Sequence, residues 1–153
     1  CDGDVVWIEL GQGGNWNGYI ADMTRVYHVG EPTAEFQKVH DVVKRAQRLA
    51  REAIRPGVAC QDIDRTARQE ITQAGYGEYF THRVGHGLGL DVHEDPYMVE
   101  GNERPLEPGM VFSVEPGIYL PGKFGIRTED IMYVTDTGAG NLYAATHDFI
   151  IVK

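Results

Sequence analysis

Little in this chain is available for cross-linking. Of its 153 residues only Cys1 and Cys60 are cysteines, and they form no C-x-x-C pair. A disulfide framework, a zinc knuckle and a dithiol redox motif find no support, and a reduced, cytoplasmic setting is the simplest expectation. Basic residues are scarce as well: 14 Lys and Arg stand against 23 Asp and Glu, for a net charge of −9. That balance argues against nucleic acid and anionic membranes as partners, and it suits a protein that holds cations. There is no long apolar run and no secretory leader pattern, so a membrane span and secretion are unsupported. Repeats and low-complexity segments are lacking too.

What is present is the composition of an ordinary folded domain, 42% hydrophobic and 24% charged, at a length that can bury a core without staples. The opening Cys-Asp-Gly-Asp runs straight into an apolar strand pattern, as though the chain continued a longer one. Val5–Leu10 is apolar on both faces and predicts a buried strand. Residues 11–15 form a turn-rich connection, and 18–29 predict a second strand antiparallel to the first. Pro32 and Thr33 open a helix. Its apolar positions are Phe36, Val39, Val43, Ala46, Leu49, Ala50 and Ile54, with Glu35 near the start and Arg51 and Arg55 near the end, complementing the dipole. Pro56-Gly57 stops it. A second helix fits 61–74, with Gly75 as its cap. Residues 81–97 carry three histidines and three glycines without a period. Strands are predicted over 111–119, 124–135 and 149–152. Strands, then helices, then strands imply an α+β fold with a mainly antiparallel sheet.

Three features carry chemistry. Glu9, Asp22, Glu115 and Glu129 all fall inside apolar strand patterns, where an unpaired carboxylate must neutralise, pair or bind a metal. Alternation puts Arg127 on the face of Glu129, where it can clamp a carboxylate or form a plain ion pair. Thr81–Gly89 combines His82 and His86 with glycines at 85, 87 and 89, which let backbones approach closely, and His93 follows. Histidine is both a metal ligand and a proton carrier near neutral pH. Carboxylates mixed with imidazole suit Mn, Co, Fe or Zn, and the excess of carboxylates leans to Mn. Two such ions bridged by carboxylates could hold a hydroxide as nucleophile and polarise a carbonyl. His28, His40 and His147 read as background, with His40 half exposed on its helix, and Trp7, Trp16 and Tyr19 read as core or pocket wall.

Five segments, in this order, resemble the signatures of the pita-bread metallopeptidases. They are Gly18–Arg25 (Gly-Tyr-Ile-Ala-Asp-Met-Thr-Arg), His82–Gly89 (His-Arg-Val-Gly-His-Gly-Leu-Gly), Val92–Pro96, Val114–Tyr119 and Arg127–Asp130. Within that family the resemblance is closest to Xaa-Pro aminopeptidases and Xaa-Pro dipeptidases (prolidases), and it covers nearly the whole chain. It implies the C-terminal part of a pita-bread fold, a curved, mainly antiparallel sheet with two helices on its outer face. Residues 1–153 would then be a fragment of the catalytic domain, without the N-terminal domain and the first part of the catalytic one. The resemblance implies two divalent ions, bridged by Asp22 and Glu129, with His86 and Glu115 on one of them. It makes Glu115 a proton shuttle as well, places His82 and His93 on the substrate side, and has Arg127 hold a carboxylate from outside. The implied reaction is hydrolysis of the peptide bond before proline through a metal-bridging hydroxide, on a peptide substrate, by a homodimer.

The first ligand departs from the family pattern. The family places an aspartate eleven residues before the bridging one; here Glu9 stands thirteen residues before Asp22, beyond a longer loop. Glutamate reaches one methylene further, so ligation by Glu9 is expected. Failing that, a same-fold hydrolase or lyase with an altered metal site and a small non-peptide substrate is the alternative. A non-enzymatic scaffold would have little reason to keep His86, Glu115 and Glu129.

Overall fold

The computed structural model of the chain describes residues 1–11 and 15–153. Most of the expected 11–15 connection, residues 12–14, lies outside the described residues, and so does the side chain of Trp16. The first two predicted strands pair antiparallel, β1 (Val5–Leu10) with β4 (Met23–Val29), from Val5↔His28 to Leu10↔Met23. The second is shorter than expected, because a small hairpin of β2 (Asn15–Trp16) and β3 (Tyr19–Ile20) precedes it. Asn17 (φ 55) and Gly18 (φ 90) link the hairpin, as a two-residue turn with both φ positive requires.

The helices follow their period. α1 (Ala34–Ala53) is capped by Thr33, whose hydroxyl accepts from the Phe36 amide at 3.1 Å. α2 (Cys60–Gln73) ends at Ala74, and Gly75 takes the left-handed conformation (φ 88) that closes helices. Both pack on the sheet β11-β10-β7-β5-β6, formed by β5 (Gly85–Gly87), β6 (Glu94–Met98), β7 (Val111–Val114), β10 (Asp130–Val134) and β11 (Ala139–Asn141). Phe36, Val39, Val43, Ala46 and Ile63 meet Met98, Phe112, Val114, Ile118 and Ile126 in one core. Burying each large apolar side chain there contributes roughly 1.5–3 kcal/mol.

Several strand expectations are corrected. The 111–119 run splits into β7 and β8 (Gly117–Leu120), and 124–135 splits into β9 (Phe124–Arg127) and β10. β5, β6 and β11 were not expected at all. β12 (Ile150–Val152) forms as expected, but it joins β4 in parallel. β1 is not buried: Val6 is 42%, Ile8 42% and Leu10 58% exposed, and Ile151 of β12 is 44% exposed. β4 meets α1 where His28 packs on Phe36, and β1 meets β9 where Arg127 stacks on Trp7, but most side chains of β1 and all of those of β12 remain exposed. His40, expected half exposed, is 2% exposed and packs between Phe36 and Phe149.

Candidate metal centre

Of the expected ligands, Glu9 lies within β1 and His86 within β5, whereas Asp22, Glu115 and Glu129 lie where strands break. β7 and β10 pair up to Val114↔Asp130, and the ladder resumes in β8 and β9 at Gly117↔Arg127. Between them Glu115-Pro116 faces Thr128-Glu129, and neither stretch is laddered to the other. Pro116 offers no N–H there. The freed amides find other partners, as buried amides must. Glu129 N donates to Thr24 O at 3.2 Å and Glu115 N to Val84 O at 2.7 Å. The gap in the ribbon is therefore where the two sheets join. Asp22 occupies a third break, between β3 and β4, and its amide donates to Tyr143 Oη at 3.1 Å.

His86 comes from β5, where glycines stand on both sides because nothing larger fits. A Cβ on Gly85 would lie 1.9 Å from Ser113 O, and one on Gly87 would lie 2.4 Å from Asp95 O. The His86 amide donates to Ser113 Oγ at 3.0 Å. Its Nδ1 lies 3.0 Å from Gly87 O. A carbonyl only accepts, so Nδ1 carries a hydrogen; Nε2 shares a proton with Glu115 in the absence of a metal, and in the neutral form of the ring it would present its lone pair inward. Nε2 lies 3.1 Å from Glu115 Oε1 and 3.9 Å from Asp22 Oδ2.

Asp22, His86 and Glu129, all buried, each offer one donor atom within 4.8 Å of the others. Glu115 reaches the same centre through His86, and its Oε1 accepts from Ser113 Oγ at 3.1 Å. Glu9 stands outside the three-residue group, its carboxylate on Arg127 Nη2. Arg127 also lies near two of the other acids. Its Nε is 3.9 Å from Glu115 Oε2 and 4.0 Å from Glu129 Oε2. It donates to Thr24 Oγ1 at 3.2 Å, and its guanidinium stacks on Trp7 at 4.6 Å. Thr24 in turn donates to Glu129 Oε2 at 2.6 Å.

The charges are badly matched without a cation. Burial, then Glu9 and Glu115, push Asp22 up to about 6. Burial, then Glu115 and Asp22, push Glu129 up to about 8. Burial would lower His86, but its hydrogen bond with Glu115 raises it. Burial would raise Glu115, but the same bond holds it below the usual range. Asp22 Oδ1 is buried without a hydrogen-bond partner among the described residues. Three acids and a lone-pair nitrogen aimed at one point call for a proton or a cation between them. The residues fit a divalent metal, and the donor chemistry is that of a hard to borderline ion.

Both histidines expected on the substrate side lie near this centre. His93, exposed, meets the His86 ring edge-on at 4.2 Å. His82 is half-buried, with Nδ1 2.7 Å from Arg83 O and Nε2 2.9 Å from Tyr119 Oη. Burial lowers its pKa, so the neutral ring accepts from Tyr119. The His82 backbone is set by α2. Asp64 and Arg68, one helical turn apart, form a pair in which Arg68 donates to Phe80 O (2.9 Å) and His82 O (2.8 Å). Asp64 accepts from Val84 N at 2.8 Å. Sequence reasoning missed this pair, although D-x-x-x-R on a helix was a visible signal. It also gave no role to Thr24 and Tyr119, although both lie in the signature segments, or to Tyr143, which no pattern marks.

Known proteins are similar to this chain in sequence and fold. Residues 1–136 match the model of metallopeptidase family M24. The Xaa-Pro dipeptidase of Lactobacillus helveticus is 48% identical over 135 residues, which is 88% of this chain and 36% of that protein. The crystal structure of dipeptidase PepE from Mycobacterium ulcerans superposes with a TM-score of 0.95 at 47% identity, covering 98% of this chain and 40% of that one. The X-Pro aminopeptidase from Thermotoga maritima gives a TM-score of 0.95 at 42% identity, covering 99% and 42%. The chain thus spans about 40% of the length of such relatives.

Proposed function

The chain belongs to metallopeptidase family M24, and from that premise we propose that it is the catalytic part of an enzyme that hydrolyses the peptide bond before proline. The resemblance to pita-bread metallopeptidases is borne out, as is the α+β fold with two helices on a mainly antiparallel sheet. What carries the proposal is the convergence of Asp22, His86 and Glu129 within 4.8 Å, with Glu115 hydrogen-bonded to the same imidazole. In this proposal Asp22, His86, Glu115 and Glu129 would hold two divalent ions between them, and Glu9 would contribute a further carboxylate. Manganese is the ion best suited to the carboxylate-rich set.

When bound, such ions supply Lewis acidity to a carbonyl and acidify a water at neutral pH. The chain supplies the rest. Glu115 stays ionised beside His86, so it can accept a proton and deliver it to the leaving nitrogen. His93, exposed beside the His86 ring, would meet a substrate oxygen as it acquires charge. His82 takes its hydrogen bond from Tyr119, which fixes the ring that lines the substrate side. Arg127 balances the acids without occupying the centre. A homodimer, a cytoplasmic location, and the assignment of residues 1–153 as a fragment of the catalytic domain belong to the same proposal.

The test uses the full-length protein that contains this chain, loaded with Mn and assayed on Xaa-Pro dipeptides and longer Xaa-Pro peptides. Turnover is expected, and the substrate length preferred separates a dipeptidase from an aminopeptidase. No turnover of either, with metal bound, would remove the peptidase reading. A second reading has one observation behind it: the Glu9 carboxylate is engaged by Arg127. If that pairing persists with metal, the second ion is weakly held, and a same-fold hydrolase or lyase with a small non-peptide substrate is favoured. Elemental analysis near two ions per chain would sink that alternative.

A further inference from the structure

We infer that Asp130, with Arg25, Asn141 and Tyr143, is a positioning network that sets the approach of Asp22 to Glu129 and hence the grip of the site on its cation; this rests on the metal centre proposed above. Asp130 is 0% exposed, and it sits one residue beyond Glu129 with its side chain in a separate environment. Its Oδ1 accepts from Arg25 Nη2 at 2.7 Å. Its Oδ2 accepts from Asn141 Nδ2 at 2.7 Å and Gln47 Nε2 at 3.2 Å, and lies 2.5 Å from His147 Nε2. Arg51 Nη1 lies 3.4 Å away.

Two arms leave this carboxylate, and each ends on the backbone of a candidate ligand or its strand neighbour. On one side Arg25 Nη1 donates to Glu129 O at 2.7 Å and to Thr24 O at 2.9 Å. That contact reinforces the bridge in which Glu129 N donates to Thr24 O. On the other side Asn141 Oδ1 accepts from Tyr143 N at 2.8 Å, and Tyr143 Oη accepts from Asp22 N at 3.1 Å. Asp22 and Glu129 therefore reach the centre from two different sheets, and one buried carboxylate anchors the backbone on each side.

A merely structural ion pair would need only Arg25. Here donors from α1, β4, β11 and the segment after it converge on two oxygens, and the side chains that relay the contact inward stop at main-chain atoms of the centre. A shift of the carboxylate would thus move the separation of the donors, to which metal affinity and coordination geometry are sensitive. Outer partners of this kind typically change metal affinity about 10–100-fold when removed.

The test is a Co(II) titration of the full-length protein, read by the visible absorption of the bound ion and by calorimetric affinity, alongside thermal melts. Asp130→Asn keeps the shape and removes the charge. Asn141→Ala and Tyr143→Phe cut the Asp22 arm alone, at partly exposed positions that spare the core, and they decide the matter if Asp130→Asn does not fold. Weaker Co(II) binding by about 10–100-fold with a shifted band in Asp130→Asn, and smaller changes of the same kind in the other two, are expected. Lower melting temperatures with wild-type affinity and an unchanged band would overturn the inference, because they are what a packing role alone produces. Wild-type protein that binds no Co(II) would overturn the metal centre and this inference together. Wild-type binding that Asp22→Asn abolishes would uphold the centre, leaving the network to be judged on its own variants.

Discussion

Glu129 and Asp130 are neighbours in the chain and equally buried, at 1% and 0% exposure, yet their carboxyl groups behave in opposite ways. Glu129 faces other acids, and its pKa is pushed up to about 8. Burial would push Asp130 up as well, but its bonds to His147 and Arg25 pull it below the usual range. Burial alone decides neither case; the partners do. The inner group is short of positive charge and is built to receive it from outside the chain. The outer group has its countercharge built in and serves as a fixed point. Alternation at the start of β10 sends one inward and the next outward, so a single stretch of chain supplies both.

The comparison can be broken most forcefully at the inner group. His86→Ala should lower kcat/KM on a Xaa-Pro substrate by on the order of 10³-fold, as removal of a group that stabilises transition-state charge does, while the metal-free melting temperature changes little. A variant that keeps near-wild-type turnover would end the claim that this imidazole serves the site. Next come paired stability measurements on metal-free protein by urea unfolding at pH 9. Asp130→Ala should cost about 3–5 kcal/mol, because it strands Arg25 without its buried partner. Glu129→Gln should instead stabilise by about 1–3 kcal/mol, since it relieves crowding among acids and a tenfold change in acidity is about 1.4 kcal/mol. Effects of the same sign would erase the distinction.

A pH series sharpens it without mutation. Asp22 and Glu129 hold their protons more tightly in the folded chain, at about 6 and about 8, than an unfolded chain would. Their contribution to metal-free stability is full below about pH 4 and is lost as pH rises through about 6 and about 8. Asp130 runs the other way: its contribution is present above the ordinary aspartate range and is lost on acidification. The contribution of these two acids to metal-free stability, read from melting curves, should therefore decline from about pH 5 to about pH 8 and level off above that, and added Mn should reverse that decline because it binds the ionised acids. A metal-free profile flat from pH 5 to 9 would contradict the crowding. The smallest effect is expected at the surface, where Glu52→Gln, breaking the exposed pair with Arg48, should change stability by no more than about 0.5 kcal/mol.

The helices were legible because their period, caps and terminal charges agree. The site residues stood out because acids and histidines are costly inside apolar patterns. The breaks at Asp22, Glu115 and Glu129 were hidden, since the flanking residues are good strand formers and only Pro116 hints at an interruption. The Asn17-Gly18 turn was a readable hairpin signal that the longer apolar pattern masked. β5 escaped because glycine carries no strand preference, and closeness to Ser113 is a tertiary fact. β1 looked buried because its residues are apolar, but burial needs a covering layer, which no strand pattern reports. His147 and Asn141 looked ordinary because what they hold lies in another element.

Asp22 and the tyrosine that receives its amide proton are 121 residues apart. At a ribosomal pace of about 5–20 residues per second, the aspartate is made on the order of ten seconds before that partner exists. Glu129 and the histidine at 147 arrive just as late. A nascent chain that has not yet reached Glu129 thus holds only part of the proposed donor set, and the grip on a cation proposed above has to wait for that residue.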